Sequence, residues 1–415
     1  MKTWTELRDR KHLTAIAAAG IAAAVASQAP ALADDALTRR VDAVIDRWVD
    51  AERIVGTVAM IAKDGEVIYR RAAGFADREA GKPVAEDTIF RHASMTKAIV
   101  SATALALMEE GRLSLDDTVA QWLPYFTPAL PDGRRPDITI RQLMTHTSGL
   151  SYSFLEPDES PYRSGLISEG LDDTGALSLE ESMRRLASIP LVYEPGTEWR
   201  YSLSTDVLGA VIEEVSGMTL PDAVAHYFMG PLGMTDTTFL VKDPVRLSAA
   251  YRDGDGRAVR MNDAGDEIPL GTGVRVYPGR ATDPDAHPSG GGGMSGTAAD
   301  YLRFLEAIRT GGGPILEEAS ALAFGKHVIG ELRAWTEGEG WGHSIGAAVL
   351  LDPQAAATPQ TVGTWQWGGA LGSHWFVDPA EKLTVVVLTN TSVAGVIGEF
   401  PAELRDAIYG VDAEG

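Results

Sequence analysis

The amino-acid sequence contains no cysteine, is poor in basic residues and has no apolar run long enough to span a bilayer. Without a thiol the chain has no disulfide framework, no Cys-ligated metal site and no cysteine nucleophile, so covalent chemistry must use another side chain. Its 36 lysines and arginines stand against 58 aspartates and glutamates, giving a formal net charge of -22. This charge repels phosphate backbones and anionic lipids. We therefore expect no nucleic-acid partner and no stable membrane insertion.

Several familiar binding motifs are also missing. No histidine pair has the HExxH spacing, so we interpret His146, His343 and His374 as hydrogen-bonded structural residues. No Gly-Lys pair precedes a serine or threonine, as a P-loop requires. Residues 291–296 match G-x-G-x-x-G, but no strand precedes them, so a helix cap explains the glycines better than a dinucleotide site.

What is present is the composition of a folded protein, with 45% hydrophobic and 23% charged residues. A chain of 415 residues exceeds what one compact core usually holds. The length therefore predicts two intertwined domains or one large domain.

The first residues have the order of an export signal. Residues 1–12 are basic, residues 13–25 are apolar, and Ala31-Leu32-Ala33 offers small residues for cleavage. The apolar run is shorter than the roughly 20 residues of a membrane span. The pattern predicts a signal peptide at 1–33, cleaved near Ala33, and a periplasmic or secreted protein. The alternative is an amphipathic helix that stays attached.

Both ends of the remaining chain contain strand patterns. Apolar residues at helical spacing predict an opening helix over 37–49, and strands 57–62 and 67–70 flank an Asp64-Gly65 turn. Further strands are expected at 345–351, 374–377 and 383–388, followed by a closing helix at 399–409. This arrangement predicts a sheet whose strands come from both chain ends.

The middle of the chain is different in character. Short helices are predicted at 140–145, 178–187, 205–216 and 220–228, joined by segments rich in proline and glycine. We therefore expect an α/β domain formed by 34–115 and 290–415, interrupted by a mostly helical domain at 116–289. A cleft between them is the expected site.

Ser94 and Lys97 are the first candidates for chemistry. They open a predicted helix that is apolar on all sides through residue 105, so the helix must be buried. A spacing of three residues places both side chains on one face, and Ser94 lies at the positive end of the helix, where an oxyanion is favoured. A buried lysine needs a partner or a task. The alternative is a lysine at an exposed helix edge.

Two further segments complete the candidate site. Tyr201 stands just before a helix, where a phenol near an ammonium could act as a general base, although plain packing is the alternative. The glycines at 368, 369 and 372 would let a substrate approach backbone amides, although they could also form a simple turn.

Taken together, these segments carry a family resemblance. They are Ser94-x-x-Lys97, residues 143–150 (LMTHTSGL), Tyr201-Ser202-Leu203, residues 231–234 (PLGM), residues 290–295 (GGGGMS) and Trp367-Gly368-Gly369. The chain resembles class C β-lactamases and, most closely, family VIII carboxylesterases from about residue 37 to residue 409. The resemblance implies a β-lactamase/transpeptidase-like fold, an α+β sandwich.

The resemblance also implies roles. Ser94 would be the acylated nucleophile, Lys97 and Tyr201 would handle its proton, and the amides of Ser94 and Ala370 would form the oxyanion hole. Neither a metal nor another cofactor is implied, and no obligate protein partner is evident.

The expected substrate-binding residues are Leu203, Trp367, Gly368 and Gly369. Trp367 stands where a β-lactamase has a lysine for the drug's carboxylate, and Leu203 where it has an asparagine. Both replacements favour small acyl esters as the small-molecule substrate. The same fold leaves β-lactamase, D-alanyl-D-alanine carboxypeptidase, D-aminopeptidase and acyltransferase activities open, as well as a non-catalytic scaffold.

Residues 342–346 match the G-x-S-x-G motif of α/β-hydrolases, with Ser344 as the nucleophile. Asp352 and His374 follow in the order that those enzymes use. The motif needs a strand before it and a helix after it, and neither is expected here. We regard this alternative as less favoured.

Overall fold

A computed structural model of the protein describes residues 35–164, 167–172, 177–334 and 338–411. The predicted signal peptide at 1–33 lies outside these residues. Within them, no helix has both the length and the apolar character that crossing a bilayer requires.

The main sheet is antiparallel and contains eight strands. Three come from the first part of the chain: β1 (Gly56–Lys63), β2 (Glu66–Asp77) and β3 (Lys82–Pro83). Six short strands form separate two-stranded sheets: β4 (Phe90–Arg91), β5 (Tyr251–Arg252), β6 (Val259–Arg260), β7 (Asp266–Ile268), β8 (Val274–Val276) and β9 (Ser295–Gly296). The other five strands of the main sheet come from the last part of the chain: β10 (Trp341–His343), β11 (Ala348–Leu350), β12 (Trp365–Gly369), β13 (Ser373–Asp378) and β14 (Leu383–Thr389). The order in the sheet is β10-β11-β12-β13-β14-β1-β2-β3. This confirms an antiparallel sheet built from both chain ends.

The β1–β2 hairpin forms as its turn residues predict. Lys63 pairs with Glu66, and Asp64 and Gly65 between them have φ values of 53° and 86°. Two consecutive positive φ angles match the twist of the flanking strands, and an Asp-Gly pair adopts them at little cost.

The helices flank the sheet. They are α1 (Asp35–Asp50), α2 (Thr96–Glu109), α3 (Val119–Trp122), α4 (Ile140–Met144), α5 (Leu179–Ala187), α6 (Ser204–Ser216), α7 (Leu220–Val224), α8 (Gly230–Leu232), α9 (Ala298–Arg309), α10 (Glu318–Phe324) and α11 (Glu399–Tyr409). The helix predicted at 220–228 ends as α7 at Val224 and continues as a π-helical turn, Ala225–Met229.

Strand β14 explains how both faces of the sheet are buried. Val385 and Val387 point to one side, where they pack with α1 and α11. Val386 and Leu388 point to the other side and join the larger core that contains α2, α6 and α9. Because alternate residues of a strand point to opposite faces, an uninterrupted apolar strand is expected in a sheet covered on both sides. The α/β class is therefore confirmed.

Three strands of the main sheet were missed and one was misplaced. β11 begins at Ala348 rather than 345, and β3, β10 and β12 were not predicted. The end of β12 consists of Gly368 and Gly369, which carry no alternating side-chain pattern. A Cβ at Gly368 would overlap Val396, and one at Gly369 would overlap the carbonyl of His92. Distant contacts thus require glycine in a strand that it would otherwise weaken.

The helices between residues 116 and 289 share the core of α2. Leu208 and Val211 of α6 belong to the same apolar cluster as Ile99 of α2 and Val386 of the sheet. The proposed division into 34–115 with 290–415 and 116–289 therefore stays a prediction.

Candidate active site

Ser94 lies in a tight turn immediately before α2. The turn Ala93–Met95 is a single 3-10 turn, and the first helical residue of α2 is Thr96. Ala93 has a φ of 45°, in the left-handed region that a residue with a Cβ rarely adopts. Ser94 itself is half-buried. The strained residue thus precedes a serine held at the positive end of a helix.

Lys97 is buried directly beneath Ser94, as the apolar helix predicted. The residue is only 3% exposed, and its Nζ lies 3.3 Å from Ser94 Oγ. The ammonium also donates to the carbonyl of Gly291 at 2.6 Å. Burial lowers the pKa of Lys97 to about 7, while the carboxylate of Asp206 acts in the opposite direction. Near neutral pH, Lys97 can therefore both accept and release a proton.

Tyr201 approaches Ser94 from the other side. It lies in the coil before α6, and its hydroxyl donates to Ser94 Oγ at 2.6 Å. The Nζ of Lys97 is 4.7 Å from the centre of its ring. The structure therefore brings the three predicted catalytic residues together at one oxygen atom.

The predicted oxyanion-hole segments are also neighbours. Strand β12 ends at Gly369, whose backbone packs against the carbonyl of His92 so closely that a Cβ would not fit. Ala370 follows directly and lines the same cavity as Ser94. Close backbone approach is the usual reason for glycine at such a position.

The cavity at Ser94 has a volume of about 570 Å³. Its wall is largely apolar, and Phe154, Leu171 and Leu270 are among its residues. Trp367, only 8% exposed, also lines it and lies 5.5 Å from Tyr201 between ring centres. A volume of this size is typical of a small-molecule site.

The predicted substrate-binding residues differ in their positions. Trp367 and Gly368 line the cavity, whereas Gly369 is buried behind it. Leu203 is fully buried at the start of α6 and does not belong to the described cavity wall. The structure thus does not bring the side chain of Leu203 together with the other site residues.

Tyr152 is a site residue that the sequence analysis missed. Its ring centre lies 5.3 Å from Lys97 Nζ and 5.0 Å from the centre of the Tyr201 ring. Burial is the main cause, and the neighbouring Tyr201 the second, that raises the pKa of Tyr152 well above its usual value, so the phenol stays neutral. Tyr152 comes two residues after the 143–150 motif, and this proximity was the available signal.

Glu169 is a second missed residue, and no sequence pattern pointed to it. Its carboxylate lines the cavity, is 8% exposed and accepts hydrogen bonds from the amide and the hydroxyl of Ser153. Burial raises the pKa of Glu169, and the two hydrogen bonds act in the opposite direction. The wall also contains Arg405, so its two charged side chains are of opposite sign.

The alternative nucleophile Ser344 is in a different environment. It is fully buried in the turn between β10 and β11, and its hydroxyl donates to the carbonyl of Ala347 at 3.0 Å. A strand follows it, not the helix that a nucleophile elbow requires. His374 is engaged elsewhere, with Nδ1 2.9 Å from the carbonyl of Gly395. The G-x-S-x-G motif is therefore a structural turn. No cluster of three or more metal-binding side chains occurs in the described residues.

An antiparallel sheet flanked by helices, with a serine, a lysine and a tyrosine meeting beside β12, defines a serine hydrolase of the β-lactamase/transpeptidase-like fold. The chain belongs to the beta-lactamase family, because the family profile described as "Beta-lactamase" matches residues 41–408.

Within this family, the chain is similar to esterases. Esterase EstB from Burkholderia gladioli is 49% identical over 377 residues, which cover 90% of this chain and 95% of that protein. The solved structure of "EstCE1, a hydrolase with promiscuous acyltransferase activity" has a TM-score of 0.88 and 45% identity, covering 91% of this chain and 100% of its own. A lovastatin esterase from Penicillium rubens is 27% identical over 395 residues, covering 88% and 95% of the two chains. The resemblance to family VIII esterases and the expectation of a carboxylesterase-type serine hydrolase are confirmed.

Proposed function

We propose that the protein cleaves small acyl esters through an acyl-enzyme formed on Ser94. One observation carries the assignment: Ser94 Oγ receives hydrogen bonds from both Tyr201 and Lys97, at 2.6 and 3.3 Å. A serine hydroxyl needs a base to become a nucleophile, and two ionisable groups at this oxygen provide a route for its proton.

In the first half-reaction, Ser94 Oγ attacks the ester carbonyl carbon and its proton passes to the Tyr201–Lys97 pair. With a pKa of about 7, Lys97 can hold that proton or share it with the phenol. The C–O bond to the alcohol then breaks, and the alcohol leaves with the proton. In the second half-reaction, water attacks the acyl group and the pair takes its proton, which returns to Ser94 as the acid is released.

The amides of Ser94 and Ala370 stabilise the charge on the carbonyl oxygen in both half-reactions. Support comes from the contact of Gly369 with His92, which keeps the end of β12 against the turn that carries Ser94. Preorganised amides of this kind are typically worth about two to three decades in turnover.

The composition of the cavity supports uncharged substrates. Most of the wall is apolar, Trp367 offers no cation for a carboxylate, and the charged side chains of the described wall, Glu169 and Arg405, are of opposite sign. We therefore expect acetyl to butyryl esters to react well, with slow turnover of penicillins and at most modest cleavage of cephalosporins.

The deciding experiment compares p-nitrophenyl acetate and butyrate with nitrocefin, with the Ser94→Ala protein as the blank. A larger kcat/KM for p-nitrophenyl butyrate than for nitrocefin is the expected result. The reverse order would replace the esterase assignment with a β-lactamase. The purified chain alone should carry the activity, without a protein partner.

We also propose that residues 1–33 direct export to the periplasm or the medium. The basic, apolar and small-residue segments support this assignment. Intact-mass analysis of protein purified from its native host should give a chain beginning at or near Asp34. Cytoplasmic protein that retains Met1 would contradict it.

A further inference from the structure

Asp206 is a buried carboxylate next to the site, and the sequence analysis gave it no role. It lies in the first turn of α6 and is 2% exposed. Its Oδ1 accepts hydrogen bonds from Ser289 Oγ at 2.5 Å and from the amide of Gly291 at 3.1 Å. Its Oδ2 has no hydrogen-bond partner among the described residues. Burying a carboxylate costs free energy unless a nearby positive charge stabilises it.

The residue that Asp206 holds is the one that binds Lys97. The amide of Gly291 donates to Asp206, and the carbonyl of the same residue accepts from Lys97 Nζ at 2.6 Å. Ser289 Oγ also accepts from the amide of Gly292 at 3.0 Å, which fixes the turn on its other side. The carboxylate and the ammonium are thus connected through a single glycine.

Two glycines make this approach possible. A Cβ at Gly290 would overlap the carbonyl of Thr205, and one at Gly291 would overlap Oδ2 of Asp206 and lie 3.0 Å from the hydroxyl of Tyr152. Gly290 and Gly291 therefore pack directly on the start of α6, a contact that the helix-cap interpretation of residues 291–296 did not include.

Asp206 also differs in charge from the other groups around Lys97. The ionisable side chains that face the ammonium or line the small cavity behind it are Tyr152, Tyr201, Asp206, His146 and His343. Burial lowers the pKa of His343 to about 4 and that of His146 well below its usual value, so both rings are neutral near pH 7. The Asp206 carboxylate is the group that opposes loss of the Lys97 ammonium. Burial raises the pKa of Asp206 itself, whereas Lys97, the hydrogen bonds from Ser289 and Gly291, and the charge of Arg280 act in the opposite direction.

We propose that Asp206 is a positioning residue for the reaction, because its carboxylate fixes the Gly291 carbonyl that orients Lys97 and supplies the charge that balances the ammonium. The inference rests on the proposed function of Ser94, Lys97 and Tyr201. It assigns Asp206 no contact with substrate.

The test is the pH dependence of kcat/KM for p-nitrophenyl butyrate in Asp206→Asn and Ser289→Ala. An asparagine can still accept from the Gly291 amide but carries no charge, so the ammonium of Lys97 is less favoured and its pKa falls. The limb of the profile that belongs to Lys97 should move about one to two pH units lower. We also expect kcat to fall roughly tenfold, because the balance of the proton between Lys97 and Tyr201 changes.

Ser289→Ala is the matched control. It removes a hydrogen bond to the same carboxylate oxygen and loosens the same turn, but it keeps the carboxyl group, whose charged form Lys97 and the Gly291 amide still favour. Its kcat should fall, while its pH limb stays near that of the wild type. An Asp206→Asn protein whose limb does not move would overturn the proposal, because a purely structural role predicts that result.

A folding defect in Asp206→Asn can be handled with a second variant. If the single variant is unfolded, Lys97→Gln combined with Asp206→Asn should fold, because it no longer buries a lysine without its counter-charge. A double variant that also fails to fold would show that Asp206 serves the packing of the glycine turn and would reject the proposal.

The Ser94→Ala protein separates this inference from the function on which it rests. Substantial esterase activity in that variant would contradict the proposed function. An inactive Ser94→Ala protein beside an Asp206→Asn protein with the wild-type rate and profile would contradict the role of Asp206 alone.

Discussion

Two serines in this protein stand in tight turns, and only their surroundings tell them apart. Ser94 is half-buried at a cavity and accepts hydrogen bonds from Tyr201 and Lys97. Ser344 is fully buried, donates to the carbonyl of Ala347 and accepts from the amides of Gly346 and Ala347.

The difference is one of chemistry more than of shape. The partners of Ser344 are backbone groups that cannot take a proton at neutral pH, so its hydroxyl stabilises a turn. One partner of Ser94, the amine of Lys97, can exchange a proton near pH 7, and the serine oxygen is open to a cavity. A short motif therefore identifies a nucleophile only when ionisable side chains from other segments reach it.

Replacing each serine by alanine should give the largest difference in kcat between the two positions. We expect Ser94→Ala to lose on the order of 10⁴-fold or more in kcat, and Ser344→Ala to retain most of its activity. A serine-directed phosphonate should label the Ser94 peptide in tryptic mass spectra. Because Ser344 has buried backbone partners, its loss should instead lower the free energy of unfolding by about 1 to 3 kcal/mol in urea titrations. Labelling at Ser344 would reverse the assignment of the two serines.

Removing the partners of Ser94 should come next in size. Tyr201→Phe deletes one oxygen and should reduce turnover by about 10² to 10⁴, with Lys97→Ala comparably severe. The double variant should be little worse than either single one, since the two groups act as a unit on one proton. Steady-state kinetics on p-nitrophenyl butyrate test this. Near-normal turnover in Tyr201→Phe would refute its role.

Trp367 offers a smaller and more selective change. Trp367→Lys places a cation at the cavity and should raise the ratio of nitrocefin to p-nitrophenyl butyrate kcat/KM by at most about one to two decades. The gain is limited because a single charge-assisted hydrogen bond is worth about 1.5 to 3 kcal/mol. Trp367→Leu is the neutral control and should leave the ratio near its wild-type value. An unchanged ratio in the lysine variant would remove Trp367 from substrate selection.

The pH dependence should be the mildest distinction. Burial sets the pKa of Lys97 near 7, so its ammonium is lost as the pH rises through that value. If the neutral amine helps to accept the Ser94 proton, kcat/KM should fall about tenfold for each pH unit below 7 and level off above it. Rates from pH 5 to 9, corrected for spontaneous hydrolysis, would measure this limb. A flat profile from pH 5 to 8 would contradict the role of the lysine.

The residues that sequence reasoning found are those whose function has a local signature. Asp64 and Gly65 specify a hairpin turn by themselves, and the presence of Lys97 in an apolar helix indicates a buried amine that needs a partner. The fold class followed from elements of this kind. The closing helix at 399–409 matched α11 to the residue.

What was missed depends on contacts between distant segments. β12 was not predicted because two of its residues are glycines. Close contacts with Val396 and His92 require those glycines, and both contact residues are distant from β12 or outside any local pattern. Glu169 and Asp206 were missed for the same reason, since the role of a carboxylate depends on the residues that the fold places around it. The candidates that the sequence indicated therefore include Ser94, Lys97 and Tyr201 and, in the cavity wall, Trp367 and Gly368, but not Tyr152, Glu169 or Asp206.

The pairing of β1 with β14 has a consequence for how the chain is made. Thr57 lies opposite Thr389, so β1, an inner strand of the sheet, obtains its second neighbour only after almost the whole chain has left the ribosome. Until then one edge of β1 is unpaired, and the nascent protein cannot close its sheet. Contacts this far apart in sequence also slow folding. A chain that ends before Leu383 would keep that edge exposed permanently and should aggregate instead of forming an enzyme.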